Sequence, residues 1–108
     1  MKTVLFFRDD ERLFCRITAE LQGGSLVVSG QDIGPQVEEF FGRDEYEYCT
    51  SLDRENTRKL FEELGCRDQT EAEKLAEIKR RFHGNLADTS LEEFCRRHNI
   101  ETSFWSWP

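Results

Sequence analysis

Residues 11–21 alternate between inward and outward side chains for almost their whole length. Leu13, Cys15, Ile17, Ala19 and Leu21 fall on one side, and Arg12, Phe14, Arg16, Thr18 and Glu20 on the other. A period of two over that distance admits one regular structure, a strand with one face in a core and one face wet. Gln22-Gly23-Gly24 follows as a hairpin turn, and Ser25-Leu26-Val27-Val28-Ser29 as the returning strand. Upstream, Thr3, Val4, Phe6 and Phe7 make residues 3–8 a strand with apolar side chains on both faces, closed by a turn at Asp9-Asp10. Three strands joined by tight turns predict an antiparallel meander.

Downstream the pattern changes. Gly30 is expected to end the third strand. Gly34-Pro35 opens a short helix with an inward stripe of Val37, Phe40 and Phe41, which Gly42 stops. Residues 44–50 alternate again, with Tyr46, Tyr48 and Thr50 opposite Glu45, Glu47 and Cys49, and predict a fourth strand. Asp53 caps a helix over 54–64 with Thr57, Leu60, Phe61 and Leu64 inward and Gly65 as its stop. Thr70-Glu71-Ala72-Glu73 is a capping box, and Ala72, Leu75, Ala76 and Ile78–Phe82 give the apolar side of the helix it starts. Ser90-Leu91-Glu92-Glu93 reads as a second capping box, for a helix with Leu91, Phe94 and Cys95 inward and Asn99 as a left-handed stop. From Ile100 to Trp107 the chain reads as a last strand, with Ile100, Thr102, Phe104 and Ser106 opposite Ser103, Trp105 and Trp107. The expected fold is a single α+β domain over 1–108: an antiparallel sheet of four to five strands with three to four helices mainly on one face. Strand order is not legible.

Charge is distributed unevenly. Residues 32–75 hold thirteen acids and six bases, which accounts for the whole net charge of −7; the rest of the chain holds nine of each. A nucleic-acid binder needs clustered cations, and the two clusters here, Lys79-Arg80-Arg81 and Arg96-Arg97, sit where they complement helix C-termini. The apolar run Val4–Phe7 is too short for an export signal or a membrane span. Cys15, Cys49, Cys66 and Cys95 form no Cys-x-x-Cys pair, and without an export signal they read as buried free thiols. A cytoplasmic protein without metal or cofactor is expected.

The segments Ser29–Gly34, Val37–Gly42 and Asp44–Tyr48, with the closing Phe104-Trp105-Ser106-Trp107, resemble those of small bacterial proteins of about this length, a group with no assigned activity. The likeness runs through most of the chain. It implies a small bacterial cytoplasmic protein and carries over no functional residue.

No enzyme class is indicated. There is no Gly-x-Ser-x-Gly elbow, P-loop or dinucleotide fingerprint. His83 and His98 lie at helix ends, where the dipole gives them structural work; Cys95 and His98 stand three apart, a spacing that chance supplies often. Adjacent acids such as Glu38-Glu39, Glu62-Glu63 and Glu92-Glu93 point in different directions on a helix and read as solvated faces. Asp44, Glu45 and Glu47 lack the loop that would make them a cation site.

The acid-rich middle and its aromatic neighbours favour a binding module. Asp44, Glu45, Tyr46, Glu47 and Tyr48, with Trp105 and Trp107, are the candidate partner-binding residues. A basic protein is the expected partner and inhibition in the manner of an immunity protein or antitoxin the expected role, with neither nucleic acid nor membrane bound. Two alternatives remain: a small-molecule or metal sensor with a pocket between helices and sheet, and an oligomeric scaffold pairing through 44–50 or 100–107. The chain would be a monomer or a homodimer.

Overall fold

The computed structural model of the chain describes residues 1–42 and 44–107, Phe41 by its backbone alone. Gly23 and Gly24 both have positive φ, 56° and 85°, as a two-residue hairpin between right-twisted strands requires. They join β2 (Phe14–Gln22) to β3 (Ser25–Ile33), nine residues each, in unbroken register from Gln22↔Ser25 to Phe14↔Ile33. β1 (Lys2–Asp9) pairs antiparallel with β2, slipping by one residue between Val4 and Phe6. At that bulge the Leu5 carbonyl accepts the Gly84 amide at 3.2 Å, which fastens the sheet edge to the helices below it.

β3 does not stop at Gly30. It continues three residues further and pairs with β4 (Glu45–Leu52) from Leu26↔Leu52 to Ile33↔Glu45. The glycine is there because of its cross-strand partner Tyr48, whose ring occupies the space of a side chain at that position. Between these strands, α1 (Pro35–Phe41) begins on Pro at its first position and ends on Gly42 at φ 73°. Val37 is buried, whereas Phe40 is 78 % exposed and leaves the expected stripe; the Phe41 side chain lies outside the described residues. A helix of two turns packs one narrow line of side chains, and Val37 fills it.

α2 (Arg54–Glu63) starts from Asp53, whose carboxylate accepts the Asn56 amide at 2.8 Å, and it buries Thr57, Leu60 and Phe61. α3 (Glu71–Arg81) carries the full capping box between Thr70 and Glu73. Its inward line is Leu75, Ile78 and Phe82, while Ala72 and Ala76 face solvent, so the buried stripe is narrower than the sequence implies. α4 (Ala87–Arg97) begins one turn before the expected cap, and Ser90 is a helical residue whose amide bonds to the Leu86 carbonyl. No side chain caps this start, and Ala87 there is fully buried. Asn99, at φ 57°, provides the left-handed stop. β5 (Ser103–Trp107) then returns to pair antiparallel with β4; Ile100 and Thr102 precede it.

The five strands therefore lie in sheet order β1-β2-β3-β4-β5, every neighbour antiparallel. α3 lies over β1 and β2, α2 over β3 and β4, and α4 against β3. All three helices cover the face that carries Cys15, Ile17, Ala19, Leu21, Leu26, Val28, Tyr48 and Leu52. The result is one α+β domain in which α2, α3 and α4 leave the other sheet face uncovered, while α1 adjoins β3 and β4. Because β4 is an interior strand, both its edges are paired within the sheet, so the strand at 44–50 has no edge with which to pair another copy; β5 stands at the sheet edge.

Candidate functional site

Strand register decides which candidate residues share a surface. Glu47 pairs with Trp107 and Cys49 with Trp105, so Glu45, Glu47, Trp105 and Trp107 all project from the uncovered face. The two indoles stack, with ring centroids 3.9 Å apart and planes 14° from parallel. They remain 45 % and 44 % exposed. Stacking two residues apart along one edge strand turns the pair into a flat, stiff ledge at little conformational cost. Beneath it Cys49 is buried, and burial alone pushes its thiol up from the ordinary value.

The carboxylates beside the ledge are also held. Gln31 Nε2 donates to Glu45 Oε1 at 2.8 Å and to Glu47 Oε1 at 3.3 Å. One amide thereby keeps two like charges side by side and orients both. A shallow depression of about 270 Å³ runs from Trp105 and Glu47 past Gln31 and Ser29 to Arg16. Asp44 is exposed just ahead of β4, and its carbonyl accepts the Gly34 amide at 2.8 Å.

The tyrosines go elsewhere. Tyr46 and Tyr48 project to the helix-covered face, their rings 5.6 Å apart, with Tyr46 half-buried and Tyr48 buried. Tyr48 therefore leaves the partner-accessible set. Its hydroxyl group lies in a polar cluster with Cys15, Asp32 and Asp88. Burial first, and then the Asp32 charge, raise the Tyr48 phenol; burial first, and then a hydrogen bond with Asp32, push the Cys15 thiol up to about 12. Asp88 is raised chiefly by burial as well, with Asp32 adding repulsion. Asp32 Oδ1 is buried without a hydrogen-bond partner among the described residues. Burial and Asp32 thus both act against the Cys15 thiolate, the form that a nucleophile needs. Sequence pattern alone places Asp32 in a loop after Gly30; only the β2–β3 register reveals it opposite Cys15.

Both histidines have structural partners. His83 Nδ1 lies 3.2 Å from the carbonyls of Lys79 and Arg80, and since carbonyls only accept, that nitrogen donates. His98 packs on the Phe94 ring at 4.3 Å and faces Glu63 at 3.3 Å, while Cys95 points into the core. The two do not meet as a nucleophile and base. All four cysteines are free and buried, and burial raises each thiol. Among the described residues no three His, Cys, Asp or Glu side chains are grouped to hold a metal ion, and no helix is long and apolar enough to cross a membrane.

The chain matches no known family model, no curated protein and no solved structure. Its own geometry is the ground for a functional reading.

Proposed function

We propose that the chain is a protein-binding module that receives a basic partner on the open face of its sheet, acting as an inhibitor of the immunity-protein or antitoxin type. The observation that carries this reading is the stacked Trp105–Trp107 ledge flanked by the two carboxylates that Gln31 holds. An Arg or Lys of the partner laid on the exposed indole of Trp107 would meet Glu47, its direct cross-strand neighbour, and Glu45 two residues along. Such a cation gains on the order of 0.5–1 kcal/mol from the ring while exposed, and about 2 kcal/mol once desolvated. Because ring and carboxylates are already oriented, little side-chain freedom is lost on binding. The net charge of −7 adds long-range attraction, which acts on association rate more than on final affinity.

The test is capture on the immobilised protein from lysate of its host, with Trp107→Ala and Glu47→Lys proteins as matched controls. A basic protein should be retained by the original sequence, released by salt, and lost from both variants. Equal retention on all three, or retention of no basic protein, would remove the proposal.

The free edge of β5 favours a second reading. Ser103–Trp107 carries no charge, and an uncharged edge invites another strand. Two copies joined there would run as a dimer on a sizing column and separate when Ser106 is replaced by proline.

A further inference from the structure

Opposite the open face, at the far end of the helix layer, four cations converge although the chain as a whole is acidic. Arg54 and Arg58 come from α2, Arg67 from the α2–α3 turn and Lys74 from α3, around a groove of about 470 Å³. Glu55 and Glu71 bring negative charge to its lining, and Glu62 beside it pairs with Arg58 and Arg67. Its apolar floor is Leu21 and Phe61, both buried members of the core. A volume in this range, an apolar base and a few convergent polar heads are the usual attributes of a small-ligand site.

The cations are held in different ways. Arg58 and Arg67 both reach Glu62, at 2.9 and 3.6 Å, which fixes their forks at one wall. Lys74 stands 5.3 Å above the Phe61 ring and makes no ion pair among the described residues. Arg54 likewise has no ion pair among them; its side chain packs over Gly24, where an added Cβ would lie 3.2 Å from Nε. Arg54 and Glu71 are also the first residues of α2 and α3, whose N-termini are already capped by Asp53 and by the Thr70–Glu73 box. Two cations without an ion pair and two tethered guanidinium forks favour a compact multivalent anion, and planar forks suit phosphate best.

We propose that this groove binds a small organic phosphate, its phosphate between Arg54, Arg58 and Lys74 and its apolar part toward Leu21 and Phe61. The site is separate from the sheet face and does not rest on the protein-binding reading.

Calorimetric titration of the whole chain with inorganic pyrophosphate, adenosine monophosphate and adenosine tests it. Pyrophosphate and the monophosphate should bind and adenosine should bind about tenfold more weakly or not at all, because it lacks the group the cations recognise. Added salt should weaken binding. Arg54→Gln and Lys74→Gln should each lower affinity about fivefold or more, since each removes one charge-assisted contact, while Arg97→Gln and Trp107→Ala, neither of which lines the groove, should leave it unchanged. Melting curves without ligand should coincide for Arg54→Gln and the original, which separates lost binding from lost folding. Heat absent with both pyrophosphate and the monophosphate at about a hundredfold excess overturns the proposal, as does undiminished binding by the Arg54→Gln/Lys74→Gln protein.

Discussion

Tyr48 lies across β3 at Gly30, so close that a Cβ on residue 30 would stand 2.1 Å from the tyrosine Cζ. The pair is a cross-strand couple in which the ring supplies the burial that the glycine cannot. Gly30→Ala should therefore destabilise the protein by about 2 kcal/mol, as overfilling of a packed core does. Chemical denaturation would measure it. In a Tyr48→Ala background the same substitution should cost much less, and additivity of the two changes would show that the ring moves aside without penalty.

The buried sulfur under the tryptophan ledge offers a second test. In the original protein all four thiols should label slowly with a maleimide, since all are buried. Trp105→Ala uncovers Cys49, its direct cross-strand neighbour, and should speed that site about tenfold. Cys15 and Cys95 lie beneath the helices with thiols pushed up to about 12 and about 11, and should not respond. Peptide mapping of the labelled positions distinguishes the sites.

Most of the architecture was legible in the sequence because its signals are local. The alternation of 11–21, the Gly-Gly turn, Asp53, the Thr70–Glu73 box and Asn99 each act over a few residues of chain, and each performs the expected role. What could not be read depends on distant partners. Gly30 signals a stop in isolation and is a strand residue only because Tyr48 faces it. Ser90 resembles a cap, but α4 starts a turn earlier, at Ala87, which the core buries. For the candidate site, the period of two separated acids from tyrosines on 44–50, whereas the pairing of Glu47 with Trp107 needed the order of the strands. The groove at Arg54 and Lys74 draws on several separate segments and leaves no linear trace.

Asn56 should prove important to β5 although it lies in α2. Its Nδ2 donates to Asp53 at 3.0 Å, and its Oδ1 accepts the Glu101 amide at 2.9 Å, tying the approach to β5 onto the start of the helix. Asn56→Ala leaves that amide without its partner and should cost about 1–3 kcal/mol. Hydrogen exchange should rise most in residues 101–107; a uniform rise across the sheet would contradict the local role.

Asp88 sets a pH dependence. Its folded pKa is raised by burial above the ordinary 3.8, so between that value and the raised one the native state holds a proton that the unfolded chain has lost. Stability contributed by this group consequently falls as pH climbs through that window and stays lowered beyond it. Asp88→Asn should melt higher than the original at pH about 7 and equal to it below the ordinary carboxylate range. A melting temperature for the variant that is lower at both pH values would contradict the assignment.

β5 joins the sheet only after the chain has travelled from Leu52 through three helices and back to Ser103, whereas β2 and β3 follow their neighbours by turns and β4 by the single short helix α1. Closing a loop of that length is entropically harder than closing a hairpin, and all five residues of the strand are solvent-exposed. β5 is thus the element expected to dock last and to detach first, in excursions that leave the four-stranded remainder intact. The tryptophan ledge exists as a surface only while that strand is zipped in place. Its availability is a population, set by the same equilibrium that a bound partner would pull toward closure.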